Sequence, residues 1–153
     1  PIPISEALSQ VYAFLRANME SKSLKFSVSI SPEIAHLCYD GESLLIILRN
    51  LLSNAAKFSA EGGNIWIAAT RLENDEKIVI AVNDNAPPIP LEKQKNIFED
   101  FRQIENHLTR RYEGLGLGLA VARRAARMLD GDLSLRVRDD GNTFVLMLPY
   151  VAP

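Results

Sequence analysis

The stretch Leu48-Arg49-Asn50-Leu51-Leu52-Ser53-Asn54-Ala55-Ala56-Lys57-Phe58-Ser59 carries two patterns at once. Leu48, Leu51, Leu52, Ala55 and Ala56, extended upstream by Leu44 and Leu45, recur at the three-and-four spacing of an amphipathic helix. That spacing predicts a helix starting after Gly41 and running to about Phe58. Away from this apolar stripe, Asn50, Asn54 and Lys57 stand at i, i+4 and i+7, confined to a strip about 60° wide. Two carboxamides and an ammonium offer neutral oxygens to a hard cation and a fixed positive charge to phosphate oxygens, which is what a magnesium nucleotide requires. Taken alone, the same strip also fits a solvated helix face.

Upstream, Ile4, Ala7, Leu8, Val11, Tyr12, Leu15 and Met19 predict another amphipathic helix, and Leu24, Phe26, Val28 and Ile30 alternate with polar residues as a half-buried strand does. Downstream, Ala60-Glu61-Gly62-Gly63 ends the central helix. Two strands follow, Ile65 to Arg71 and Lys77 to Asn83, joined as a hairpin, and then a proline-rich loop from Asp84 to Pro90. Ile97, Phe98, Phe101 and Ile104 have helical spacing, and the polar run from Arg102 to Glu113 reads as a mobile loop. Gly114-Leu115-Gly116-Leu117-Gly118 opens a helix that Asp130-Gly131 stops near Leu129. A last hairpin, Asp132 to Arg138 and Thr143 to Pro149, turns on Asp139-Asp140-Gly141-Asn142. Hairpins interrupted by helices predict an α+β, two-layer sandwich with a mixed, mainly antiparallel sheet and its helices on one face.

Composition narrows the function classes. The chain has 153 residues, 47% hydrophobic and 24% charged, the profile of one folded domain covering residues 1–153 rather than of a disordered chain. Its 17 Lys and Arg against 19 Asp and Glu give a formal charge of −2, which suits neither nucleic acid nor an anionic membrane surface as partner. The longest uninterrupted aliphatic run, Leu44 to Leu48, is far short of the roughly 18 residues that span a bilayer. A lone cysteine, Cys38, can form no internal disulfide and fits a reducing compartment, so the cytoplasm is the expected location. The start at Pro1 without methionine suggests an excised domain with a missing neighbour.

Two further features could carry chemistry. The glycines 114, 116 and 118 would let backbone N–H groups approach a phosphate at a helix N-terminus, where the dipole favours an anion. Neither a strand before them nor a following Gly-Lys-Ser/Thr is present, which excludes a dinucleotide fingerprint and a P-loop. A flexible loop entering a helix is the plainer reading of the glycines alone. Asp84 follows a strand whose Ile78, Ile80 and Val82 alternate inward, so its carboxylate should stand at the sheet rim, able to accept from an exocyclic amine such as that of adenine. By itself, such an Asp also forms turns.

In this order the three features resemble the nucleotide-binding domain of bacterial sensor histidine kinases, in the ATPase superfamily shared with gyrase, the Hsp90 chaperones and the MutL proteins, and the resemblance covers nearly the whole chain. Residues 48–59 look like that family's asparagine box, Ile97-Phe98-Glu99-Asp100-Phe101 its phenylalanine box, and Gly114 to Ala120 its second glycine box. The resemblance implies the Bergerat-type ATP-binding fold with ATP and Mg2+ as ligands. Asn54 would then ligate the magnesium, Asn50 support it, Lys57 hold phosphate and Phe58 lie by the base. Asp84 would bind the adenine amine, and Ile89 would line the same site. Residues 99–113 would form a lid, and Gly114, Leu115, Gly116, Leu117 and Gly118 would wrap the phosphates. The implied partners are a helical dimerisation domain carrying the phosphoacceptor histidine and, indirectly, a response regulator. The acceptor histidine of the family is followed by an acid; His36 and His107 are not, so the chain alone should not phosphorylate itself.

One departure stands out. Where the family usually has Asp-x-Gly-x-Gly, this chain reads Asp84-Asn85-Ala86-Pro87-Pro88. If position 86 requires a positive φ, alanine there costs about 1 to 2 kcal/mol, and Pro88 has no N–H to donate. A scaffold module with weak or no nucleotide binding is therefore the alternative, unless the prolines pre-set the loop.

Overall fold

The computed structural model describes residues 1–73, 76–99 and 117–151. The N-terminal segment makes strand β1 (Ile2–Pro3), helix α1 (Ile4–Ser21) and strand β2 (Lys25–Ile30), and strand β3 (Cys38–Tyr39) leads into helix α2 (Gly41–Phe58). Strands β4 (Asn64–Arg71) and β5 (Lys77–Asp84) follow, then a short helix α3 (Leu91–Gln94). Helix α4 (Leu117–Met128) and strands β6 (Asp132–Arg138) and β7 (Gly141–Pro149) complete the described chain.

Five strands form one sheet in the order β2-β4-β5-β7-β6, while β1 and β3 pair separately. Chain connectivity explains the mixture. The β4–β5 and β6–β7 neighbours are antiparallel hairpins, and β2 lies parallel to β4 because α2 carries the chain back between them. The three long helices put their apolar stripes on one face: Leu8, Val11 and Leu15 from α1, Leu48, Leu51 and Leu52 from α2, Ala122 and Ala126 from α4. Ile65, Ile67, Ile80, Val82, Phe144 and Leu146 meet them from the sheet. This is the α+β sandwich expected from the periodicities.

Local chemistry fixes the helix that matters most. Asp40 caps α2, its carboxylate accepting from the Ser43 N–H at 3.0 Å, a bond that holds this carboxyl below its usual range. At the other end the Lys22 ammonium donates to the carbonyls of Ala56 (2.8 Å) and Lys57 (3.0 Å), so the loop after α1 closes the last turn of α2. Tyr39 donates to Pro149 O at 2.7 Å, and its burial pushes the phenol up to about 12.

One detail differs from the expectation, and another adds to it. The described part of the apolar cluster, Ile97 and Phe98, lies in turns after α3 rather than in a helix, while Phe101 and Ile104 lie outside the described residues. At the end of α4 the left-handed residue is Asp130 (φ 63°), not the glycine. Gly131 is required for a different reason: a β-carbon there would run into the carbonyl of Met147 on β7. Among the described residues no helix is long and apolar enough to cross a membrane.

Candidate nucleotide-binding site

The polar strip of α2 is not a free solvent face. Asn50 is half-buried and its amide donates to Ile46 O at 2.8 Å, which turns the carboxamide oxygen outward towards α4. A β-carbon built on Gly118 would lie 2.6 Å from that oxygen, so the Asn50 carboxamide keeps this orientation against the first turn of α4 only because residue 118 has no side chain. Asn54, one turn on, is half-buried, and Lys57 and Phe58 at the helix end are exposed. Ser59 follows, 2% exposed, with a hydroxyl that finds no partner among the described residues. Gly114, Leu115 and Gly116, like almost all of the expected lid, lie outside the described residues; Leu117 is described only as the first residue of α4.

Asp84 ends β5 on the helix-bearing face of the sheet and is 2% exposed. Burial pushes its carboxyl above the usual range, against hydrogen bonds from the Ala86 N–H (2.9 Å) and from Asn142 and against the positive charge of Arg138. A buried carboxylate that keeps acceptor capacity at the end of a strand can take a hydrogen bond from an amine and discriminate against a ligand without one. The loop after it carries no backbone strain at the altered positions. Among described residues other than glycine, only Ser23 and Asp130 have positive φ, so Ala86 sits in ordinary backbone and its methyl is buried. The cost expected for alanine at position 86 therefore does not arise. Ile89 is half-buried against the core and places its N–H on Asn142 Oδ1 at 3.0 Å.

Phe98, just before the expected lid, is partly buried against the core. Its ring meets Phe144 edge-on at 6.1 Å between centroids, and the Arg123 guanidinium of α4 lies 4.9 Å above it.

Residues 39–152 match the family model described as histidine kinase-, DNA gyrase B- and HSP90-like ATPase. This chain belongs to that family. The adaptive-response sensory kinase SasA of Thermosynechococcus vestitus is 34% identical over 119 residues, 78% of this chain and 30% of SasA. Signal transduction histidine-protein kinase BarA of Escherichia coli is 31% identical over 149 residues, 94% of this chain and 16% of BarA. The chain thus spans under a third of either relative. Among solved structures, the catalytic domain of histidine kinase ThkA in a nucleotide-free form superposes with a TM-score of 0.82 at 25% identity, covering 97% of this chain and 93% of that one. Full-length ShkA in complex with AMPPNP gives 0.82 at 25% identity, over 100% of this chain and 31% of ShkA.

In this histidine kinase-like ATPase domain the sequence reading missed the residues that hold the loop after Asp84. Asn142, 3% exposed, donates to Pro87 O at 3.1 Å as well as accepting from Ile89, and Gln94 donates to Ile89 O at 2.9 Å. Arg138 reaches from β6 to Asp84 O and Asn142 O, with its guanidinium 5.0 Å from the Trp66 ring. A signal for Asn142 does exist. It is the polar member of an inward-facing series with Phe144, Leu146 and Leu148, concealed because the turn residues made the strand appear to begin at Thr143, two residues after its start at Gly141.

Proposed function

We propose that this chain is the ATP-binding catalytic domain of a sensor histidine kinase, which donates the γ-phosphate of MgATP to a histidine on a helical dimerisation domain of the same parent protein. Family membership and the sensor kinases among the relatives support the class, and the AMPPNP complex of ShkA supports an adenine nucleotide as ligand. The observation that carries the reading is the contact of Asn50 with Gly118, which joins the asparagine strip to the start of the helix behind the glycine run.

On this reading Asp84 accepts from the adenine amine, Ile89 and Phe58 flank the base, and Lys57 meets phosphate oxygens. The glycines 114, 116 and 118 and the backbone of Leu115 and Leu117 follow the phosphate chain. The donor set fits a magnesium ion carried by the nucleotide: Asn54 offers one neutral oxygen from a half-buried position, and such an ion takes most of its ligands from phosphates and water. The ion would neutralise charge on the transferring phosphoryl group. Phosphoryl transfer asks the protein mainly for position and charge, and Asn50 cannot accept a proton from water, so hydrolysis without the acceptor should be slow. Residues 1–153 act as one unit in this scheme, with 99–113 as its lid and the cytoplasm as its setting.

The test is Asn54→Asp. The variant is expected to keep the fold by circular dichroism and to lose transfer to an acceptor domain supplied in trans; undiminished transfer would remove Asn54 from the metal role. The alternative, a scaffold with little nucleotide affinity, rests on Ala86-Pro87-Pro88. Unaltered nucleotide affinity after replacing Ala86 and Pro88 by glycine would count against it.

A further inference from the structure

The loop from Asn85 to Pro90 has few backbone donors to fix it, because Pro87, Pro88 and Pro90 have no N–H. Its shape is nevertheless specified from outside. One side chain, Asn142, uses both ends of its carboxamide on it: the amide donates to Pro87 O at 3.1 Å and the oxygen accepts from the Ile89 N–H at 3.0 Å. The bridge spans Pro88, one of the two changes from the family's glycine pattern, with a side chain from another strand, while the other, Ala86, has its N–H on Asp84 Oδ1. A carboxamide is suited to this because it carries a donor and an acceptor side by side on one planar group.

Asn142 is also the register partner of Asp84 in the β5–β7 ladder. Gly141 beside it is required for the same approach, since a β-carbon there would run into Asp84 O, and Arg138 donates to that same carbonyl. The end of the β6–β7 hairpin therefore grips Asp84 through its backbone and the following loop through Asn142. Asp84 and Asn142 are themselves buried, and the two loop bonds are part-buried, shielded from water on the Asn142 side.

We propose that Asn142 is a positioning residue for base recognition: by bridging Pro87 and Ile89 beside Asp84 it holds the proline loop and the carboxylate in the geometry that selects a base carrying an exocyclic amine. The proposal rests on the reading of Asp84 as the amine acceptor.

The experiment compares MgATP with the magnesium complex of purine riboside triphosphate, which lacks the 6-amine, in calorimetric titrations of the parent chain, Asp84→Asn and Asn142→Ala. The parent should prefer ATP by about tenfold or more, the value of one hydrogen bond to a charged group. Both variants should lose most of that preference, Asn142→Ala through ATP affinity in particular. A purely structural loosening would weaken both nucleotides equally and leave the ratio intact. An intact ratio in Asn142→Ala, with the ratio lost in Asp84→Asn, would overturn the proposal alone. A parent with no preference would overturn the reading of Asp84 and the proposal together. If Asn142→Ala does not give a folded chain, Asn142→Ser, whose single hydroxyl cannot span both loop contacts, is read by the same ratio.

Discussion

Asp84 is a residue whose burial costs stability and which, on the proposed reading, serves recognition. Its folded-state carboxyl is raised by burial, so the native state binds a proton more readily than the unfolded chain does. The sign follows: its contribution to stability is complete below the ordinary carboxylate range and is lost as pH rises through the raised native value. Asp84→Asn removes that loss while its amide oxygen can still accept from Ala86. A melting temperature at pH 7 equal to or above the parent's is expected, with the gain shrinking as the pH approaches 4 in a series of thermal melts (~4 being the ordinary carboxylate value). A variant that loses stability at neutral pH and regains it in acid would contradict this assignment of the buried charge. Chemical identity at this scale was legible in the sequence: an acid ending an alternating apolar strand had to stand at the rim. What the chain order could not supply was the partner, because Asn142 lies 58 positions away and meets Asp84 only through the register of β5 on β7.

Among elements, the contact of α2 with α4 decides whether the asparagine strip faces water or a site. The apolar periodicity located α2, whose stripe of leucines and alanines is buried against the core, and the glycine run with the Asp130-Gly131 stop located α4. Periodicity says which side of a helix is buried against the core but not what approaches its polar side. That depended on Gly118, whose missing β-carbon admits Asn50 Oδ1. The hairpins were legible for the same reason as α2. The parallel pairing of β2 with β4 was not, because a strand's own alternation is the same in either direction. Gly118→Ala sets helix propensity against this contact. Alanine in a helix gains up to about 1 kcal/mol over glycine, whereas its methyl would force the Asn50 carboxamide to turn away. Expected are an unchanged or raised melting temperature by differential scanning fluorimetry and about a tenfold loss of MgATP affinity. Affinity equal to the parent's would mean that Asn50 and Gly118 share no ligand.

For the whole molecule, holding a nucleotide and accepting its phosphate are separate tasks. On the proposed reading the polar groups of this chain hold a nucleotide, and neither His36 nor His107 stands before an acid. Incubation with labelled MgATP should therefore give no phosphohistidine on this chain and hydrolysis close to background, while an acceptor domain added in trans becomes labelled. Labelling of His36 or His107 would contradict the division of roles between holder and acceptor.

The central claim is that the asparagine strip of α2, the acid ending β5 and the start of α4 serve one nucleotide. Its most direct test is a calorimetric titration of MgATP into this chain beside Asp84→Asn. The account predicts a saturable single-site isotherm at or below the millimolar range for the parent and an affinity lower by about tenfold or more for the variant. No heat up to millimolar nucleotide, or superimposable isotherms for the two proteins, would contradict it.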